Sequence, residues 1–253
     1  MNKAFIKIKQ FYGVFIALLF LIILYITNLI FLYSTDTLIW GESIGFENMF
    51  YSVVMTFNTF VFIFAPIIPL ITIVTFESDI VNFNGKNIKF ILQEFLKSIR
   101  GGLVFFLGEL FMLLIFVIFY PNSSPRLQVM GLFSSLYSIS PILYICAYIV
   151  HSFVFGWIFA FFGRAILLIT QNIYNTLIIG FIVYRFQNFL PPNWAGLINL
   201  LPFYPYEFSS LSLNIGKNIY DLALILIASI FLIARYFSKI EKLRSQMKDR
   251  DLN

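Results

Sequence analysis

The sequence predicts an all-α protein that lives in a membrane, and three observations carry that reading. Of its 253 residues, 60% are hydrophobic and only 11% are charged, against about 25% charged in soluble domains. The apolar residues fall in long runs, several of which reach the roughly 20 residues that cross a bilayer. The bases are placed very unevenly along the chain. A water-soluble fold of this length keeps too much surface exposed to hide so much apolar side chain, whereas lipid covers the surplus.

Six spanning helices are expected. The first is Phe11–Tyr33, which follows Lys3, Lys7 and Lys9. Its 23 residues exceed the apolar core of a secretory signal, and no small-residue cleavage site follows. The second runs from about Asn48 to Phe76, with a break expected near Pro66 and Pro69. The third is about Leu103–Tyr120, the fourth about Leu136–Phe162 and the fifth Ala165–Tyr184, with only Gly163 and Arg164 between the last two. The sixth is about Ile219–Phe237. The intervening stretches are 1–10, 77–102, 185–217 and 238–253, within a single transmembrane domain, 1–253. The basic tail is expected to be helical and to lie near anionic lipid, at about 1 kcal/mol per base, with no call for nucleic acid.

Charge gives the orientation. With the N-terminus inside, the inner stretches hold Lys3, Lys7, Lys9, Lys86, Lys89, Lys97, Arg100, Arg164, Arg235, Lys239, Lys242, Arg244, Lys248 and Arg250. The outer ones hold Arg126, Arg185 and Lys217. Lys and Arg are retained on the cytoplasmic side, so both termini are expected in the cytoplasm of a cell membrane. Trp40, Tyr120, Trp194, Tyr204 and Tyr206 read as interface anchors at the outer ends.

Residues for chemistry are scarce. His151 is the only histidine and Cys146 the only cysteine, so neither a two-histidine zinc helix nor an internal disulfide can form. Cys146 reads as a small core residue and His151 as a helix-packing one. There is no phosphate-binding G-x-x-x-x-G-K-[ST]. An enzyme is not expected, nor a resident cofactor, and if ATP drives the protein, another chain binds it.

Two sets of residues stand out. Ile88, Ile91, Phe95 and Ile99 recur at helical spacing, with Lys89, Gln93, Glu94 and Lys97 on other faces, giving an amphipathic helix of about three turns. Such a helix either lies on the membrane surface or docks into a partner's groove. Among polar residues at membrane depth, Glu109 should face a partner helix, a cavity or the interface, as a gate, a packing group or a dimer contact. Gln171, Asn172 and Asn175 either bond between helices or line a path.

The stretch Glu77-Ser78-Asp79 through Gly85-Lys86 to Lys89-Phe90-Ile91-Leu92 resembles the pattern that follows the second helix in ABC-2 type transporter permeases. Ser98-Ile99-Arg100 stands where that family has a Ser-Arg step, and Gly108-Glu109 where Gly-Lys is common, with the charge reversed. The resemblance implies a type V exporter-like permease of six helices, with a coupling helix between helices two and three. It also implies a re-entrant pair within 185–217, broken at Pro191-Pro192 and Pro202. It makes Ile88, Ile91, Phe95, Lys97, Ile99 and Arg100 the ATPase-coupling positions, and it makes Glu109, Gln171, Asn172 and Asn175 candidates for the path or gate. The implied partners are two copies of a separate ABC ATPase, which binds ATP and Mg, a second identical or similar permease, and membrane lipid. The implied function is export of a hydrophobic or amphipathic peptide, toxin, drug or lipid. The rival readings are a self-contained secondary transporter and a non-transport membrane subunit such as an immunity or assembly protein.

Overall fold

A computed structural model describes residues 3–34, 45–55, 67–74, 87–122, 134–137, 139–186 and 215–250. All of the regular structure in them is helical. In chain order the elements are α1 (Lys3–Ser34), α2 (Phe46–Phe50), a π-helical turn (Tyr51–Met55), α3 (Ile67–Val74), α4 (Asn87–Lys97), α5 (Ile99–Phe119), α6 (Ser134–Tyr137), α7 (Pro141–Thr170), α8 (Ile173–Phe186) and α9 (Ile215–Arg250). Four helical stretches, within α1, α4–α5, α7 and α9, have the length and apolarity to cross a membrane, the mark of a multi-pass membrane protein. α8 is apolar but shorter. The expected second span is described only as α2, the π-helical turn and α3, and most of the expected re-entrant stretch lies outside the described residues, as do Trp40, Trp194, Tyr204 and Tyr206.

The packing shows why these helices want lipid around them. On α1, Ala17, Leu21, Leu24, Tyr25 and Asn28 face inward, while Tyr12, Phe15, Leu19, Ile23, Ile26 and Ile30 are exposed. The polar groups of Tyr25 and Asn28 therefore point in, while most of the exposed stripe is apolar. A helix apolar on nearly every side belongs in a membrane or a large core. Cys146 is on the outside as well, which corrects its reading as a core residue: α7 turns its Ile142, Leu143 and Val150 the same way.

α5 and α7 form the central pair. They meet at glycines, because in lipid helix association rests on close van der Waals approach. A Cβ on Gly156 would lie 2.6 Å from the Gly101 carbonyl oxygen and 2.6 Å from the Phe105 ring, and one on Gly101 would strike the Gly156 carbonyl and Ala160. Neither position admits a side chain without moving backbone. α3 packs over the same region, against α1, α5, α7 and α8. A second apolar cluster joins α4, α7 and α9 through Phe90, Phe161, Ala165, Leu168, Ile233 and Phe237. The charged tail is helical as expected, and it continues α9 as far as Arg250.

One boundary is corrected. Gly163 and Arg164 are not a loop: α7 runs through them and ends at Thr170. Gly163 lies where Leu70 and Ile73 press on α7, and Arg164 is buried against α4. The actual turn is Gln171-Asn172. Gln171 takes the left-handed conformation, φ 51°, and its N–H donates to the Leu167 carbonyl at 2.8 Å. Asn172 Oδ1 then accepts from the N–H groups of Tyr174 and Asn175, at 2.8 and 3.3 Å, which caps the free donors at the start of α8.

Candidate functional site

Two polar centres emerge along an almost unbroken helical stretch, one in its first third and one near the middle of its second helix. α4 and α5 are separated only by Ser98, whose hydroxyl donates to the Glu94 carbonyl at 2.8 Å. Together they form a stretch of 33 residues from Asn87 to Phe119.

The first centre is α4. Its inner face is Phe90, Ile91, Glu94, Phe95 and Ser98. Phe95 stacks on Trp157 with ring centroids 4.5 Å apart and meets the edge of Phe161 at 5.2 Å. Trp157 Nε1 donates to the Phe95 carbonyl at 2.8 Å, and Phe90 rests on Phe237 of α9. Glu94 is 1% exposed. One of its carboxylate oxygens accepts from Arg164 Nε of α7, and the other accepts from Lys97 Nζ at 3.0 Å. A buried charge is tolerable when paired and hydrogen-bonded, and here the partner comes from 70 residues along the chain.

The outer face carries Ile88, 78% exposed, with Leu92 and Leu96. A shallow groove of about 570 Å³ crosses it, lined by Lys89, Leu92, Gln93, Leu96, Lys97, Ile99 and Arg100. The stripe Ile88–Ile91–Phe95–Ile99 is thus divided between faces. Ile88 points out, Ile91 and Phe95 pack inward, and Lys97, Ile99 and Arg100 edge the groove. α4 has two apolar stripes, and only Ile88, Leu92 and Leu96, spaced four apart, present the free one. Pattern alone cannot rank them, because Trp157 and Phe161, which claim Phe95, lie far along the sequence.

The second centre surrounds Glu109, the eleventh residue of α5 and so about 15 Å from its start. Glu109 is fully buried. Its carboxyl faces the hydroxyls of Tyr25 on α1 and Ser152 on α7, both also fully buried, and Tyr148 lies beside them. The π-helical turn closes the group. The Val53 carbonyl accepts from Asn28 Nδ2 at 2.7 Å and the Val54 carbonyl from the Tyr148 hydroxyl at 3.4 Å. Among the described residues Glu109 makes no ion pair.

Gln171, Asn172 and Asn175 are not part of this group. They are exposed at the α7–α8 turn, where Gln171 and Asn172 serve as caps. Tyr25, Tyr148 and Ser152 are the residues that sequence reasoning missed. The signal available was their polarity inside apolar runs. Among the described residues no cluster of His, Cys, Asp and Glu could hold a metal ion. Compared with known proteins, the chain matches no family, no curated protein and no solved structure.

Proposed function

We propose that this chain is the membrane-embedded permease subunit of an ATP-driven exporter of the ABC-2 type. In this reading it has six spans, both termini in the cytoplasm and a dimeric assembly with an identical or similar chain. ATP and Mg belong to a separate ATPase docked beneath it, and the cargo is a hydrophobic or amphipathic compound.

The observation that carries the reading is the construction of α4. Its inner face is fixed to α7 by Glu94–Arg164 and by Trp157 on Phe95. Its outer face offers an apolar stripe edged by Lys89, Lys97 and Arg100. One residue further on it becomes α5. A displacement at the groove is thereby handed to a spanning helix through packed, physically connected parts, as coupling between sites requires. The excess of bases on the inner stretches supports placing α4 in the cytoplasm.

The test is a gentle solubilisation of the tagged full-length chain, with the co-purifying proteins assayed for ATP hydrolysis. An ATPase is expected, with turnover that changes on reconstitution with this chain. Leu92→Asp should weaken its retention at least tenfold and leave thermal stability of the permease unchanged, because Leu92 faces outward. Retention of no ATPase by the wild type, or equal retention by the variant, would overturn the proposal. Phe95→Asp and Ile91→Asp are poorer probes, since both side chains pack inside.

A further inference from the structure

The bundle interior holds a carboxyl group, set in an apolar core, whose polar neighbours are hydroxyl groups. The Tyr25 and Ser152 hydroxyls are the groups close enough to hydrogen-bond the Glu109 carboxyl, from α1 and α7, and all of these oxygens are buried and lack a well-formed hydrogen bond. Polar groups removed from water are normally paired, and a carboxylate in hydrocarbon needs compensating positive charge. No Lys, Arg or His of the described chain supplies it by ion pair. The titratable groups nearest to it are tyrosines, Tyr25 on α1 and Tyr148 on α7, with Tyr144 beside Tyr148. The other titratable groups on the elements packed against α5 are Lys3, Lys7, Lys9, Tyr12 and Tyr33 on α1, Glu47 on α2 with Tyr51 on the π-helical turn that follows it, Lys89, Glu94 and Lys97 on α4, and Cys146, His151 and Arg164 on α7. α3 brings none. Hydroxyls can turn their oxygen or their hydrogen toward a guest, so Tyr25 and Ser152 suit a cation that the carboxylate holds.

We propose that Glu109, Tyr25 and Ser152 form an intramembrane binding site for one monovalent cation, either a hydrated proton or an alkali ion. The carboxylate supplies the charge and the two hydroxyls supply neutral oxygen ligands. Tyr148 sits behind them, tied to the Val54 carbonyl of the π-helical turn, so that occupancy of the site is felt where the backbone departs from α-helical form. The inference stands apart from the exporter reading. The site takes its ion whether or not an ATPase docks at α4, and its test needs no ATPase.

The experiment uses the purified full-length protein in proteoliposomes and a hydrophobic carbodiimide, which modifies protonated carboxyls within the bilayer. Modification of Glu109 is followed by peptide mass spectrometry. In choline medium the rate should fall with rising pH, by about tenfold per unit above the midpoint. If the guest is an alkali ion, Na⁺ or K⁺ at fixed pH should also protect Glu109. If it is a proton, neither should. Tyr25→Phe and Ser152→Ala keep the carboxyl and remove one ligand each, and each should move the midpoint by about tenfold in ion concentration. Glu109→Gln should abolish the signal. A rate indifferent to pH and to alkali ion, an absence of Glu109 modification under every condition, or midpoints unmoved in both hydroxyl variants would each overturn the proposal.

Discussion

Replacing Glu94 with leucine should be among the most damaging single changes in the chain. Glu94 and Arg164 are almost completely buried, with side-chain exposures of 1% and 3%. Removing the carboxylate leaves a guanidinium inside the protein with its acceptor gone, and guanidinium cannot shed its charge. Breaking a buried pair from one side costs about 3–5 kcal/mol. The reverse change should be milder. In Arg164→Met the carboxylate keeps Lys97 at 3.0 Å, and Lys97 is 23% exposed, so water and the remaining ammonium offset part of the loss, leaving about 1–2 kcal/mol. The double variant Glu94→Leu/Arg164→Met removes both charges from an apolar setting of Phe161, Ala165 and Leu168 and should return to within about 1 kcal/mol of wild type. The assay is thermal unfolding in detergent. The Glu94→Leu loss corresponds to a fall in midpoint of about 6–20 °C for a chain of this size, with a smaller fall for Arg164→Met and near recovery in the double. If Glu94→Leu melted like wild type, or the double variant fell by the sum of the singles, the two groups would not be a buried pair and the anchoring of α4 would need another basis.

Three further outcomes follow from other parts of the chain. Gly156→Ala puts a methyl group 2.6 Å from the Gly101 carbonyl and should cost about 1–3 kcal/mol, read as a lower melting midpoint; an unchanged midpoint would mean that α5 and α7 do not approach so closely. Gln171→Gly relieves the one non-glycine positive φ among the described residues and should stabilise by about 1 kcal/mol, whereas destabilisation would show that the turn needs the glutamine side chain. In a Cys146→Ser background, needed because Cys146 is exposed, cysteines at positions 40 and 125 should react with an impermeant maleimide in sealed cells, and one at 87 should not; labelling at 87 would reverse the orientation.

What could be read from the sequence follows from range. Local apolarity marked α1, α5 and α9, because lipid-facing and core-facing positions are both apolar there and the runs are unbroken. It failed at Gly163-Arg164, where a small residue and a charge mimic a loop. Arg164 is tolerated within α7 only because Glu94 neutralises it. That pairing also draws Glu94, which the sequence sets off the apolar stripe, onto the buried face of α4, and it takes one base from the inner tally without reversing its bias. Glu109 could be singled out as a polar residue at depth. Its companions could not, since Tyr25, Tyr148 and Ser152 reach it from α1 and α7, and no short-range pattern reports that meeting. Gln171, Asn172 and Asn175 looked like a polar cluster along a helix because the helix boundary was misplaced by eight residues; with α7 ending at Thr170, their polarity is that of a turn.

The union of α4 and α5 has a mechanical consequence. A helical rod of 33 residues is roughly 50 Å long. If Ser98 does not bend, a tilt of about 5° about a point near the middle of the rod carries its two ends sideways by about 2 Å each, in opposite directions. The Gly101–Gly156 contact lies nearer the Asn87 end and is a natural fulcrum, having no side chains to compress. The arms on either side of Gly101 are about 21 and 27 Å long, so a push at the Asn87 end reaches the Phe119 end slightly enlarged, and a flexible linker in place of Ser98 would uncouple the two helices at the cost of its own bonds to Glu94.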